Sequence, residues 1–218
     1  MFGLKPWRLF CETIYFFLRA TVRPRICLFA NMRSGVFFER EGLLNHVMVE
    51  RKQQTSPRTL REFQINEGAI GPLKTLKGAG FILIATSNQP GLSRGSLSRT
   101  EMDRMHDLLK ATFELDDVLV CPHDETDRCP CRKPKPGLLI EAAFKWHLDL
   151  DRSFVVSQKW QDADAARLVG CTSLLLKSPW NGPGHRDFLL DTLDGIVRKI
   201  LQLAPFQHQG NCWCSGAI

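Results

Sequence analysis

The densest chemistry in the chain lies between Cys121 and Cys131, where Cys121-Pro122-His123 is followed, after five intervening residues, by Cys129-Pro130-Cys131. Four soft or borderline ligands in so short a stretch suit one tetrahedral Zn²⁺, and a one-residue gap in an extended segment turns both members of a pair the same way. The protein supplies all four positions and leaves none for a catalytic water, so the expected ion is structural. Of the eight cysteines, Cys212 and Cys214 sit at the tail, while Cys11, Cys27 and Cys171 lie in apolar surroundings. That distribution reads as metal binding in a reducing cytosol rather than a disulfide framework, and a cytoplasmic location is expected.

The elements that must hold this loop are legible as alternating β-rich and helical patterns. Ile26–Ala30, Phe81–Ser87, Val118–Val120, Phe154–Ser157 and Thr172–Leu176 read as strands. Between them, Ile70, Leu73 and Leu76 repeat at helical spacing, and Ser98 with Glu101 has capping-box spacing ahead of Met102, Met105, Leu108 and Leu109. Further helices are expected at Ile140, Ala143 and Phe144, at Asp162, Ala165, Ala166 and Val169 up to Gly170, and at Leu189, Leu193, Ile196 and Ile200. Such alternation predicts an α/β fold, a Rossmann-like parallel sheet flanked by helices, carrying a small zinc-binding loop. Arg40–Gln64 is weakly patterned and reads as a long loop.

A chain of 218 residues with 44% hydrophobic content fits one domain, expected over 24–203, between an amphipathic helix in 1–23 and a flexible tail in 204–218. In the N-terminal helix Lys5, Arg8, Glu12 and Arg19 form a narrow polar stripe, which suits docking on the domain or a partner, or contact with a membrane surface. Glu12 and Arg19 interrupt the apolar stretch and argue against a signal peptide. A net charge of +6 is ordinary for a soluble protein, and without a nucleic-acid fold signature nucleic-acid binding is not expected.

The zinc cluster runs into Arg132-Lys133-Pro134-Lys135-Pro136-Gly137, and upstream stands Ser87-Asn88-Gln89-Pro90-Gly91-Leu92-Ser93-Arg94-Gly95. With these two motifs in this order the chain resembles the haloacid dehalogenase (HAD) superfamily, in its D-glycero-D-manno-heptose-1,7-bisphosphate 7-phosphatase and histidinol-phosphate phosphatase branch, over roughly residues 24–177. The resemblance implies a site at the C-terminal ends of the strands, as in open α/β sheets generally. It also implies that Ser87 and Lys133 hold a phosphate, and that Asn88 and Arg132 touch the rest of the ligand. A hydroxyl and backbone N–H groups at a strand end, with one ammonium, are suited to phosphate oxygens.

Active members carry Asp-x-Asp-Gly-Thr or Asp-x-Asp-Gly-Val after the first strand, the first aspartate attacking phosphorus and the second protonating the leaving alkoxide. With Ile26–Ala30 as that strand, Asn31 and Arg33 fall at those positions, and neither can do the work. A later Gly-Asp, followed four residues on by Asp, becomes Ser157-Gln158 and Asp162. Loss of carboxylates at 31 and 158 would leave Mg²⁺ poorly held. The expectation is a degenerate phosphatase-like protein that binds a phosphorylated small molecule or a protein partner. The alternative is an active phosphomonoesterase with a modified mechanism, using Asp162, Asp164 or His123.

Overall fold

Short runs of β-branched and aromatic residues bounded by turn residues become the strands of one sheet, in which every pairing is parallel. The computed structural model describes residues 32–50 and 53–204, which fall within one compact unit. Six strands line up in the order β5 (Asp117–Cys121), β4 (Ile82–Asn88), β1 (Gly35–Glu39), β6 (Phe154–Ser157), β7 (Thr172–Leu176) and β8 (Phe188–Leu190). β1 lies between β4 and β6, and each of its five residues is buried, which suits a strand covered on both faces.

Alternation along β1 divides the core. Val36 and Phe38 pack with helices α1 (Ile70–Gly78), α2 (Arg99–Phe113) and α5 (Leu193–Leu203). Phe37 faces the other way, towards α3 (Gly137–Trp146) and α4 (Trp160–Leu168). At the start of α2 the Ser98 side chain accepts from the Glu101 N–H, as the spacing predicts. The Glu101 carboxylate, however, accepts from the Leu60 N–H at 2.6 Å and pins the preceding loop.

Several expectations are corrected. The run 26–30 lies outside the described residues, and the strand at the centre of the sheet is Gly35–Glu39 instead. Arg40–Gln64 contains a small antiparallel hairpin of β2 (Met48–Glu50) and β3 (Gln53–Thr55). Leu189 belongs to β8 rather than to the last helix. On α3 the buried face is Leu138, Leu139 and Ala142, while Ile140 and Phe144 are 52% and 86% exposed. The expected helix in 1–23, Asn31, and the tail beyond Ala204 lie outside the described residues. No described helix is long and apolar enough to cross a membrane.

Candidate active site

Parallel pairing brings the C-terminal ends of four strands to one edge: Glu39 from β1, Ser87 and Asn88 from β4, Cys121 from β5 and Ser157 from β6. Of these, Glu39 and Asn88 line a cleft of about 460 Å³ together with Glu41, Arg132, Lys133, Lys159 and Asp162. Ser87, expected to hold a phosphate, is instead fully buried and donates to Glu41 Oε2.

This arrangement moves the register of the first motif. The residues leaving the central strand are Glu39-Arg40-Glu41-Gly42-Leu43, the carboxylate-x-carboxylate-Gly pattern with glutamate for each aspartate. Arg33 precedes β1, bridges to Leu148, and places its exposed side chain 6.0 Å from the Trp146 ring, at the other end of the sheet. It therefore cannot stand in a catalytic position. Asn31 is outside the described residues, and the motif it was aligned to is accounted for at Glu39. The signal was present in the sequence, but glutamate in place of aspartate and an earlier apolar run concealed it.

Both glutamates are buried and already partnered. Glu39 Oε1 lies 2.7 Å from Lys159 Nζ and 3.8 Å from Lys133 Nζ. Ser157 Oγ is 2.8 Å from Glu39 Oε2 and 3.0 Å from Asp162 Oδ2, and can give its one proton to either. Burial pushes the Glu39 carboxyl above its ordinary range, and the neighbouring Asp162 charge adds to this against the two lysines. Glu41 Oε1 accepts from Arg40 Nε at 2.9 Å, from Arg40 Nη2 at 2.5 Å, from Gln89 Nε2 at 2.5 Å and from Ser56 Oγ at 3.2 Å. Its Oε2 accepts from Ser87 Oγ at 2.8 Å. Burial alone would raise its pKa, yet Arg40, Lys159 and the Ser87 hydrogen bond outweigh burial and hold it at about 2.

Lys133 donates to Asp162 Oδ1 at 2.6 Å, and both side chains are buried. Its backbone is fixed by Asn88, whose Oδ1 accepts from Lys133 N at 3.1 Å and whose Nδ2 donates to Lys133 O at 3.2 Å. Asn88, expected to touch a ligand, thus spends its amide on positioning Lys133. Arg132 lines the cleft and donates to the His123 carbonyl at 3.3 Å. Gln158 turns away, its Nε2 donating to Gly42 O at 3.0 Å. Glu39, Glu41, Ser157, Lys159 and Trp160 are the site residues that the motif reading missed.

Behind Lys133 stands the Cys/His cluster. Cys121 Sγ and Cys131 Sγ each lie 3.5 Å from Cys129 Sγ, and His123 Nδ1 is 3.7 Å from Cys121 Sγ and 3.3 Å from Cys131 Sγ. All four ligand atoms lie within 4.8 Å of one another. Tetrahedral Zn²⁺ with thiolates at about 2.3 Å sets Sγ–Sγ separations of roughly 3.8 Å, so the cluster could hold such an ion with little adjustment. Magnesium at the cleft does not fit. An ammonium occupies one oxygen of Glu39, a hydroxyl the other, and the residue at 158 offers an amide committed elsewhere, whereas Mg²⁺ requires a near-octahedral shell of oxygens.

The parallel sheet with a cleft at its carboxyl edge, bordered by a serine, a buried lysine and a Cys/His loop, defines a HAD-type phosphatase domain. Comparison with known proteins agrees. The chain is 30% identical over 184 residues to the D-glycero-beta-D-manno-heptose-1,7-bisphosphate 7-phosphatase of Pseudomonas aeruginosa, covering 78% of this chain and 99% of that one. It is 32% identical over 149 residues to the Pasteurella multocida enzyme of the same name, covering 62% and 77%. Among solved structures, D,D-heptose 1,7-bisphosphate phosphatase from B. bronchiseptica, complexed with magnesium and phosphate, aligns at a TM-score of 0.65 with 25% identity, covering 78% of this chain and 98% of that one. A HAD-like phosphatase from Mesorhizobium loti aligns at 0.64 with 26% identity, covering 79% and 88%. No family model matches the chain. The chain belongs to the heptose-bisphosphate phosphatase family of the HAD superfamily.

Proposed function

We propose that this chain binds a phosphorylated small molecule, of the sugar-phosphate class, in the cleft at the carboxyl edge of the sheet and does not hydrolyse it. The observation that carries this reading is the commitment of both glutamates. Nucleophilic attack needs a carboxylate oxygen free to approach phosphorus, whereas Glu39 Oε1 is held by Lys159 and Oε2 faces the Ser157 hydroxyl, which it shares with Asp162. Delivery of a proton needs a carboxyl group protonated near the working pH, and Glu41 sits at about 2 under four donor side chains. Each glutamate is also one methylene, about 1.5 Å, longer than the family's aspartate, which displaces a carboxylate at the same backbone position.

In this reading Lys133, Lys159 and Arg132 supply charge-assisted hydrogen bonds to the phosphate. A zinc ion in the Cys/His cluster fixes the loop that presents Lys133, and contributes stability rather than chemistry. Asn88 holds the same backbone from the β4 side.

One observation favours a second reading. Two carboxylates do stand at the end of the central strand, so slow phosphomonoester hydrolysis through Glu39 has a geometric basis. Calorimetric titration of phosphomonoesters, run beside phosphate release with and without Mg²⁺, separates the two. Binding without release supports the first reading, and release abolished by Glu39→Gln supports the second.

A further inference from the structure

We infer that Lys159 is the permanent cation of the cleft, so that this chain binds phosphate without a divalent metal. The inference rests on the phosphate-ligand reading above and extends it to how the site handles charge.

Each buried carboxylate in the cleft has its own cation: Glu39 has Lys159 at 2.7 Å, Asp162 has Lys133 at 2.6 Å, and Glu41 has Arg40 at 2.5 Å. Lys159 is placed by the chain itself. It is the residue capping α4, two positions after the end of β6, and its N–H donates to Ser157 Oγ at 3.0 Å. Its ammonium therefore arrives at Glu39 from the side of the motif that, in the family pattern, carries the metal-binding aspartate. An ammonium has three protons, and the one hydrogen bond to Glu39 leaves two for an incoming anion. Both lysines line the cleft, and the Lys159 side chain is 24% exposed against 6% for Lys133, so it is the more accessible to an incoming anion.

A metal ion would meet these same charges. Two ammonium groups lie within 3.8 Å of Glu39 Oε1, and a divalent cation at that oxygen would have to displace one and stand beside the other. Gln158 cannot compensate, because its amide is fixed on Gly42 and brings no negative charge. A fixed ammonium thus supplies the hydrogen bonds that would otherwise come through a metal ion, while the exchangeable cation is excluded.

The test is titration of the full chain with inorganic phosphate in buffer passed over a chelating resin, then with millimolar Mg²⁺ added. Free chelator is avoided so that the Cys/His loop keeps its ion. The expected result is binding whose Kd changes by less than about twofold on adding Mg²⁺, together with weakening of about tenfold or more in Lys159→Met. Lys159→Arg, which keeps the charge, should retain most of the affinity and reports separately if the methionine variant fails to fold. Phosphate binding that requires Mg²⁺ overturns the inference and leaves the phosphate-ligand reading standing. Absence of phosphate binding under both conditions overturns that reading and the inference with it. In the double variant Gln158→Asp with Lys159→Ala, phosphate binding should become strengthened by Mg²⁺, a response that loss of a merely structural lysine would not produce.

Discussion

Acid should loosen this site through His106 before it reaches the Glu41 carboxylate. His106 on α2 is 7% exposed, and its Nε2 faces Arg40 Nη1 at 3.4 Å, so the neutral ring accepts from the guanidinium that holds Glu41. Burial first, and the Arg40 charge second, push its pKa down from 6.5 to about 4. The unfolded chain therefore takes up a proton at this residue between about pH 6.5 and 4 while the folded chain does not, and stability falls as pH falls through that window. At about 1.4 kcal/mol for each unit of separation, the full loss approaches about 3 kcal/mol. Glu41 acts lower, its contribution fading as pH drops below 4.5 towards about 2. Urea unfolding at a series of pH values, for the wild-type chain and for His106→Gln, isolates the effect. The glutamine can still accept from Arg40 but does not titrate, so the variant should lose less stability between pH 6.5 and 4, by up to the same few kcal/mol. Identical pH slopes in the two proteins would refute the reasoning.

Other consequences follow from the loop behind Lys133. Purified protein should carry about one zinc, and Cys129→Ala should lower both metal content and thermal stability, typically by a few kcal/mol, as read by elemental analysis and melting. Gly137→Ala should destabilise by about 1–3 kcal/mol, because a Cβ there would stand 2.5 Å from Pro130 O and 2.8 Å from Cys131 Cα; Gly71→Ala, with nothing within 4 Å, is the control. Asn88→Ala removes both hydrogen bonds to the Lys133 backbone and should weaken phosphate binding in the titration above while leaving zinc content unchanged.

Much of the architecture was legible because buried parallel strands are short apolar runs and the helices between them repeat at helical spacing. The Cys/His cluster was legible from spacing alone, since its ligands are neighbours in sequence. The strand at 35–39 was not, because Gly35-Val36-Phe37-Phe38 is short and follows a longer apolar stretch that drew the assignment. Placing the motif wrongly made the carboxylates seem absent, when Glu39 and Glu41 had replaced aspartates a few residues on. Lys159 was invisible for a different reason. A lysine after a strand reads as solvated charge, and only the sheet order that sets β6 beside β1 brings it to Glu39. The helix expected at Ile140, Ala143 and Phe144 forms as α3, but helical spacing identifies a face and not which side meets the sheet, and Ile140 and Phe144 are exposed.

The most direct measurement is phosphate release from sugar phosphomonoesters by the full chain, with and without Mg²⁺, alongside titration of the same compounds. The account predicts saturable binding, no metal-stimulated release, and no recovery of turnover until aspartate is placed at 39, 41 and 158 with Lys159 removed. Mg²⁺-dependent release by the unaltered chain, lost in Glu39→Gln, would contradict it.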